Sequence, residues 1–362
     1  MSAPLLLLAE HLNATYAINF GLALEGSPLR MLPRSGDDLQ AHGETVLIRD
    51  WERQLRGQLP RALIISREVS PSALSLCRHF QRGGVPVLFH LDDWMFGLPD
   101  ELGERYTARY DQAYRRQLDD MLLGCDAVLA STAPLAALLR RRHPNLQVRQ
   151  SQGVVWQPFP GPWSRPKAWV SRARRRWRQH GQVVLGYAGS SSHERDLAIL
   201  LPALQTVMTQ HPQVRFETFG LALPAELAQR WPARVGSYGY TRDYASYQQT
   251  LFELGWDIGL CPLVDDDFNR AKTATKLLEY SACGIPALCA DLPPYRDVLG
   301  EDDALLAPSG WMETLQQWVQ MPATRQAALA RSRRRLQGLD GHAAARKLDD
   351  ILNALLPASK TP

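Results

Sequence analysis

Short apolar runs alternate with helical patterns along most of this chain of 362 residues. Parallel strands are joined by crossover connections, which are usually helices, so the alternation predicts β-α-β units and parallel sheets. Residues 13–24 combine strand-like and helix-like features, and the pattern leaves both open. In the first half, strands are predicted at 62–66, 85–90 and 126–130, and helices at 72–82, 104–123 and 134–142.

The second half repeats this architecture and ends in an amphipathic helix predicted over 343–356. We therefore expect an α/β chain with two Rossmann-like, doubly wound domains. The predicted strands of this half are 183–188, 214–219, 256–262 and 285–290, with helices at 195–210 and 273–283.

A break in the pattern separates the two halves at Gly161–Ser164, where the sequence reads Gly-Pro-Trp-Ser. The segment Arg165–Arg178 follows with seven basic and no acidic residues. Domains usually contain about 100–200 residues, so two domains fit the length. We predict an N-terminal domain over 1–163, a basic linker over 164–180, a second domain over 181–338 and a C-terminal helix and tail over 339–362.

Composition narrows the class of protein. The apolar run at 3–9 ends at Glu10 and His11 and has no basic residue before it, so we expect neither a signal peptide nor an anchor. No apolar stretch approaches the roughly 20 residues that span a bilayer, and the five cysteines show no metal-ligand spacing. We expect a cytoplasmic protein. The net charge of +4 is compatible with an anionic small ligand and too mild to indicate nucleic acid.

A turn of small residues follows the first strand of the second half, where Gly189, Ser190 and Ser191 lead into a predicted helix that contains Arg195. Backbone N–H groups at such a turn can hold an anion, and an arginine in the first helical turn suits a bound diphosphate. An ordinary serine-rich helix cap is the alternative interpretation.

A second cluster follows the strand at 256–262. Lys272, Lys276 and Glu279 are spaced i, i+4 and i+7, which predicts that they lie along one helical face. Two cations at a helix start are unfavourable unless an anion is near, and a carboxylate one turn later can accept hydrogen bonds from the ribose diol. The pattern indicates a nucleotide-diphosphate site. A solvated stripe with a Lys276–Glu279 pair is the alternative.

Three segments, at 257–295, 185–196 and 90–96, resemble glycosyltransferase family four and its bacterial cell-surface polysaccharide members. The resemblance implies a GT-B fold, in which two Rossmann-like domains face a cleft, and a nucleotide-diphosphate sugar as donor. It also implies a hexosyltransferase-type reaction with retention of anomeric configuration, without a cofactor or metal. No Walker loop, His-Glu-x-x-His or Gly-x-Ser-x-Gly motif supports another enzyme class.

The resemblance also implies roles for individual residues. Glu279 matches the second acid of the family's paired-glutamate motif and would hold the ribose, whereas the position of the first acid is Ala271. Lys276 matches a lysine of a related subgroup in which that first acid is often absent. Residues that would substitute for it in contacting the donor are Asn269, Arg270 and Lys272.

In the first domain, the resemblance places His90 against the donor sugar. Asp92 and Asp93 either bind acceptor hydroxyls or cap the next segment, and the sequence leaves both interpretations open. They are not expected to bind metal. The predicted catalytic residues are His90, Lys272 and Arg195.

We therefore expect a glycosyltransferase that acts on a saccharide or lipid-linked acceptor in cell-surface polysaccharide synthesis. A non-catalytic scaffold or regulatory subunit, which the Ala271 departure supports, and a GT-B sugar-nucleotide epimerase are the alternatives. Arg165–Arg178 is interpreted either as a solvated helix face or as a surface for peripheral contact with the anionic inner membrane. No nucleic-acid partner is expected.

Overall fold

The computed structural model describes residues 3–25, 27–99, 108–152, 155–159, 166–241, 243–300, 305–306 and 310–355. Contacts divide the chain into two compact units. None of the helices in these described ranges is both long and apolar enough to cross a membrane. Unit 1 comprises Met1–Val155, Arg270–Thr273 and Leu339–Pro362, and unit 2 comprises Trp156–Asn269 and Ala274–Gly338.

Strands and helices alternate along both units, as the sequence predicts. The strands are β1 (Leu5–Ala9), β2 (Met31–Ser35), β3 (Ala62–Ser66), β4 (Val87–Leu91), β5 (Ala127–Ala130), β6 (Val148–Gln150), β7 (Val183–Ala188), β8 (Val214–Phe219), β9 (Val235–Tyr238), β10 (Ile258–Cys261), β11 (Ala287–Ala290) and β12 (Leu305–Leu306). The helices of the first half are α1 (Ala14–Tyr16), α2 (Leu22–Leu24), α3 (Gly36–His42), α4 (Glu44–Leu55), α5 (Pro71–Arg82), α6 (Gln112–Gly124) and α7 (Ala133–Arg142).

The second half contains eleven more described helices. The loop that contains Lys272 lies between two of them, Asp267–Arg270 and Thr275–Ala282. These helices are α8 (Pro166–Arg178), α9 (Glu194–Ala198), α10 (Leu201–Gln210), α11 (Ala225–Arg230), α12 (Tyr244–Leu254), α13 (Asp267–Arg270), α14 (Thr275–Ala282), α15 (Pro293–Leu299), α16 (Trp311–Gln320), α17 (Pro322–Leu336) and α18 (Gly341–Leu355). Short 3₁₀ turns lie at Ser191–His193 and Pro232–Arg234, and a π-helical turn lies at Ala17–Gly21.

Unit 1 is built around a six-stranded parallel sheet in the order β2-β1-β3-β4-β5-β6. All residues of β1, β3 and β4 are buried, because helices cover both faces of the sheet. One face packs against α3 to α7, and the other packs against Phe20 and against Leu348 and Leu352 of α18. The C-terminal helix therefore completes the core of unit 1.

Unit 2 contains a second six-stranded parallel sheet, in the order β12-β11-β10-β7-β8-β9. A Cβ atom on Gly186 of β7 would lie 1.8 Å from the indole of Trp256, so this ring packs on the sheet only because position 186 is glycine. Two parallel α/β units confirm the predicted Rossmann-like architecture.

The structure divides the chain differently from the predicted boundaries. Much of the expected linker is α8, which packs on α12 of unit 2, and the predicted tail helix belongs to unit 1. The predicted helix at 195–210 is split into α9 and α10, since Pro202 lies in the first turn of α10 and has no N–H to continue the earlier helix. Residues 161–165 and 104–107, part of the predicted break and helix, lie outside the described ranges.

Helix α8 is attached to unit 2 by arginines that reach inward. Arg175 forms an ion pair with Glu217, a fully buried residue of β8 that also accepts hydrogen bonds from Arg215 and Trp256. Arg172 donates to the Cys283 carbonyl at 2.6 Å, and burial lowers its pKa to about 10. The basic run is thus a structural part of the second unit.

The buried ion pair predicts a stability difference between two neighbouring arginines. Arg175→Ala leaves the Glu217 carboxylate without one of its cations, and we expect a loss of about 3 kcal/mol in the free energy of unfolding. Arg174→Ala removes an exposed side chain and should change it by less than about 0.5 kcal/mol. Urea denaturation measures both, and equal midpoints for the two variants would contradict the structural role of Arg175.

Candidate functional site

The strand order of unit 2 fixes where a ligand site can form. From β7 the chain moves outward to β8 and β9 and then returns to place β10 on the other side of β7. The loops that leave the carboxyl ends of β7 and β10 therefore diverge, and open α/β sheets bind ligands in the crevice at such a switch point. The turn that starts at Gly189 and the loop that starts at Pro262 are these two loops.

A buried carboxylate ties the two loops together. Asp196 of α9 is 1% exposed, and its Oδ1 accepts hydrogen bonds from the Val264 amide at 2.9 Å and the Asn269 side-chain amide at 2.8 Å. Its Oδ2 lies 2.9 Å from Nδ1 of His193. Burial raises the pKa of Asp196, but the hydrogen bonds from His193 and Val264 and the charge of Lys276 together lower it below its usual value.

The same network reaches the start of α14. Lys276 lies in the first turn of this helix, and its Nζ is 3.3 Å from Nε2 of His193 and 5.6 Å from the ring centre of Tyr187. The ammonium group therefore lies beside the turn that follows β7. The structure brings two predicted donor-binding segments together at this point.

Arg195 and Asn269 also lie in this network. Arg195 forms an ion pair with Asp266, and Asp266 accepts a hydrogen bond from the backbone N–H of Asn269 at 2.7 Å. The Asn269 side chain is buried and donates to Asp196 and to the Val264 carbonyl, so it connects the two loops.

The small-residue turn itself is partly bonded internally. The Gly189 amide donates to the Phe219 carbonyl of β8, which continues the sheet ladder, and the Ser190 and Ser192 hydroxyls lie 2.6 Å apart. The Ser191 side chain lies outside the described part of the structure. The predicted anion-binding role of this turn stays a prediction.

Glu279 lies deeper in α14 and is surrounded by aromatic side chains. Its Oε2 accepts a hydrogen bond from the Tyr247 hydroxyl at 2.8 Å, and Tyr244 hydrogen-bonds to the same carboxylate. The Tyr247 ring stacks on Phe219 with 5.0 Å between the ring centres. Burial raises the pKa of Glu279 to about 7, although the two tyrosines and Lys276 oppose the shift.

The other predicted donor residues, Arg270 and Lys272, belong to unit 1 by their contacts. The helix begins at Thr275, so Lys272 precedes it, and the predicted single helical face of Lys272, Lys276 and Glu279 is wrong. Ala274, just before the helix, has a ψ of 28° outside the helical range, and the Ala271 carbonyl accepts a hydrogen bond from the Thr132 hydroxyl at 2.7 Å. Ala271 is fully buried in the core of unit 1, Lys272 is half-buried, and Arg270 is exposed.

Unit 1 has its own switch point, between β1 and β3, and an ionic cluster lies there. Arg67 follows β3 and donates to Asp92 at 2.9 Å and to Asp93 at 3.3 Å, while its Nε is 3.3 Å from Glu10. Burial alone would lower the pKa of Arg67, but the three carboxylates raise it well above its usual value. Asp92 and Asp93, the predicted acceptor ligands, are therefore paired with Arg67 in this structure.

The backbone of Arg67 is strained, with φ of 63° in the left-handed region. Strain of this kind at a non-glycine residue is concentrated at functional sites. Arg67 also lines a polar pocket of about 120 Å³ at the ends of β1 and β3, together with Glu10, Tyr16, Arg109 and Tyr110. Sequence reasoning missed this pocket, because the charge partners come from three separated segments.

His90, the last but one residue of β4, is 1% exposed. Its Nδ1 lies 2.9 Å from the Ser66 hydroxyl and its Nε2 lies 3.1 Å from the Ser131 hydroxyl. Burial lowers the pKa of His90 to about 4, so the ring is neutral at pH 7. The cavity beside it measures about 30 Å³, which is room for a water and not for a sugar. The catalytic role of His90 stays a prediction.

Sequence reasoning also missed the roles of His193 and Asp196, although both lie in a segment that carries the family resemblance. The only local signal for these roles is an aspartate that follows a histidine by three residues, just after the end of a strand. In the described ranges, no three His, Cys, Asp or Glu side chains are grouped as metal ligands. Metal independence stays a prediction.

The sequence matches a family model described as glycosyl transferase-like over residues 199–353, which is less than half of the chain. Among curated proteins, none matches this sequence.

Solved structures show the fold more completely. Anabaena Alr3699/HepE in complex with UDP-glucose shares 14% identity and a TM-score of 0.64, over 98% of this chain and 100% of that chain. Sucrose-phosphate synthase of Thermosynechococcus elongatus shares 14% identity and a TM-score of 0.63, over 98% and 99%. An E. coli structure, described as trehalose-6-phosphate bound with UDP-2-fluoro glucose, shares 12% identity and a TM-score of 0.62, over 98% and 100%.

These likenesses show the two-domain Rossmann-like fold of GT-B proteins. Together with the family match, they support a glycosyltransferase. Membership of glycosyltransferase family four stays a prediction.

The raised pKa of Glu279 predicts a pH-dependent stability. The unfolded chain releases this proton near pH 4.5 and the native protein near pH 7, so its contribution is fully present below pH 4.5 and is lost as the pH rises through 7. Glu279→Gln has no proton to release. When the pH is raised from 5 to 8, the wild type should therefore lose about 2 kcal/mol more of its free energy of unfolding than the Glu279→Gln variant does.

Urea denaturation at both pH values measures this difference. Glu313→Gln, at an exposed position of α16, is the matched control and should follow the wild type. A Glu279→Gln variant with the same pH dependence as the wild type would show that Glu279 titrates normally in the native protein.

Proposed function

We propose that this chain is a glycosyltransferase that moves a hexose from a UDP-sugar to a saccharide or lipid-linked acceptor. The observation that carries the proposal is the switch point of unit 2. There Arg195 lies in α9 after β7, and Lys276 and the buried carboxylate Glu279 lie in α14 after β10. UDP-glucose in the HepE structure and UDP-2-fluoro glucose in the E. coli structure support UDP as the nucleotide.

Glu279 is the proposed ligand of the ribose. A carboxylate can accept hydrogen bonds from both hydroxyls of a vicinal diol, and Tyr244 and Tyr247 hold this one in place before a ligand arrives. The buried Phe219 ring stacks on Tyr247 and helps to hold this tyrosine against the carboxylate.

The reaction needs stabilisation of the negative charge that grows on the departing diphosphate. In the proposal, Lys276 and Arg195 supply positive charge in unit 2, and no metal is required. The catalytic role of Lys272 stays a prediction. Fixed charges that face the transition state are worth more than mobile ones, because they need no reorganisation during the reaction. Arg195, which pairs with Asp266, would exchange this carboxylate for the diphosphate when the donor binds.

The polar pocket of unit 1 is the proposed acceptor site. Its carboxylate, guanidinium and tyrosine groups suit the hydroxyls and the ring face of a sugar. Because Asp92 and Asp93 are paired with Arg67, they would act chiefly by holding Arg67 in place. Retention of configuration and a role in cell-surface polysaccharide synthesis are supported by the sequence resemblance.

A comparison of two nucleotides tests the ribose role of Glu279. UDP should raise the melting temperature of the wild type, since a ligand bound only by the native state stabilises it. The 2′-deoxy analogue lacks one hydroxyl of the diol, and we expect about tenfold weaker binding by calorimetry. Glu279→Gln should bind both nucleotides with nearly equal affinity.

Glu313→Gln serves again as the control and should discriminate like the wild type. If the wild type binds neither UDP nor another nucleoside diphosphate, the proposed activity is wrong. If Glu279→Gln keeps the full tenfold preference, another residue binds the diol.

We also propose that α8 makes peripheral contact with an anionic membrane surface. Arg172 and Arg175 attach the helix chiefly to backbone that precedes β10 and β11, at the amino-terminal edge of the sheet. The switch point lies at the opposite, carboxyl-terminal edge, so the basic residues of α8 do not belong to the donor site.

The outward side of α8 has the composition of a membrane-contacting surface. Trp177 is 79% exposed and Trp169 is 55% exposed, and no acidic residue lies on the helix. An open groove of about 900 Å³ runs along the helix and is lined in part by Lys167, Arg174 and Arg178. Exposed tryptophans suit the interface between headgroups and acyl chains, and basic side chains are attracted to anionic headgroups.

Co-sedimentation with vesicles tests this contact. We expect binding to phosphatidylglycerol vesicles and little binding to pure phosphatidylcholine. The Arg174→Ala, Arg178→Ala double variant should bind about thirtyfold more weakly, since each charge contributes about 1 kcal/mol. Arg115→Ala with Arg116→Ala, two exposed arginines of α6, is the matched control. Binding that ignores lipid charge, or equal losses in both double variants, would contradict the proposal.

A further inference from the structure

Three side chains of unit 2 form a chain of contacts that the proposed function does not by itself require. Asp196 Oδ2 lies 2.9 Å from His193 Nδ1, and His193 Nε2 lies 3.3 Å from Lys276 Nζ. Asp196 is 1% exposed, whereas the Lys276 ammonium lies at the half-buried end of the chain. The contacts therefore run from the buried link between two loops out to a cation at the switch point.

The chemistry of the three groups fixes the direction of the hydrogen bonds. An ionised carboxylate only accepts, so His193 donates from Nδ1 to Asp196. The neutral ring then has a lone pair on Nε2, and this nitrogen accepts a hydrogen bond from the Lys276 ammonium. Asp196 thus selects the one neutral tautomer of His193 that can hold a lysine.

A lysine side chain is long and has many rotamers, so an unrestrained ammonium loses much freedom when a ligand binds. At Lys276 that freedom is already reduced by His193 on one side and by the face of the Tyr187 ring on the other. A group held in place before binding contributes more to affinity than one that must be ordered by the ligand.

We propose that His193 and Asp196 are positioning residues that hold the Lys276 ammonium for the diphosphate of the donor. The inference rests on the proposed function, and it names two residues that position the diphosphate-binding cation, Lys276. Asp196 has a second role, since it also binds Val264 and Asn269 and joins the two loops. For that reason the decisive variants are made at His193, where the positioning of Lys276 can be tested while the bonds from Asp196 to Val264 and Asn269 stay in place.

Two amide replacements separate the contacts of the imidazole ring. The side-chain amide of Asn reaches about as far as Nδ1, so His193→Asn keeps the contact with Asp196 and loses the contact with Lys276. The amide of Gln reaches about as far as Nε2, so His193→Gln keeps an acceptor for Lys276 and loses the contact with Asp196. UDP affinity is measured for both by calorimetry, with Glu194→Gln as the control at the next, exposed residue.

We expect Lys276→Ala to weaken UDP binding by tenfold to a hundredfold, about the effect of one charge-assisted hydrogen bond. His193→Asn should weaken it by about tenfold, His193→Gln by less, and Glu194→Gln should leave it unchanged. In the Lys276→Ala background, His193→Asn should cause no further loss, because the residue through which it acts is gone.

The outcomes distinguish this inference from the proposed function. If the wild type binds no nucleoside diphosphate, both are overturned. If it binds UDP, and His193→Asn binds as well as His193→Gln, then His193 serves only the fold of the turn and the inference alone is overturned. Additive losses in the double variant would likewise overturn it, since they would show that His193 and Lys276 act independently.

Discussion

The buried carboxylate of Asp196 is the interaction on which the second unit's candidate site depends. A carboxylate removed from water is tolerated only when its oxygens are hydrogen-bonded. Here the backbone N–H of Val264, the side-chain amide of Asn269 and the His193 ring provide these hydrogen bonds. These partners come from both loops of the switch point. The loops therefore have one arrangement in which the buried charge is satisfied, and Lys276 is placed by that arrangement.

The first unit uses the opposite charge at the equivalent place in its sheet. There a guanidinium, Arg67, is surrounded by the carboxylates of Glu10, Asp92 and Asp93 at the ends of β1, β3 and β4. In both units a half-buried or buried ion holds together loops that diverge at a switch point. Parallel sheets leave polar loop ends at one edge, and such an ion gives each edge a defined shape.

Much of the fold follows from patterns within short segments. The strands at 62–66, 183–188 and 214–219 were predicted to the residue, since a buried parallel strand is a short apolar run between turns. The first strand, Leu5–Ala9, stands out in the sequence only as an apolar run without export features. The extent of a helix is harder to predict: Lys272 falls outside α14, in a segment whose Ala271 is buried in the core of unit 1 and bonded to Thr132, far away in the sequence.

The sequence by itself determined two parallel α/β units and the segments that contribute Lys276, Arg195 and Glu279, because strand burial and local polarity are properties of neighbouring residues. Only the tertiary structure decided that Arg175 binds a buried glutamate, that α18 completes the core of unit 1, and that Arg67 gathers three carboxylates. Each of these contacts joins residues far apart in the chain. Charge and burial at such sites depend on which segments come into contact, and the residue spacing within one segment does not determine those contacts.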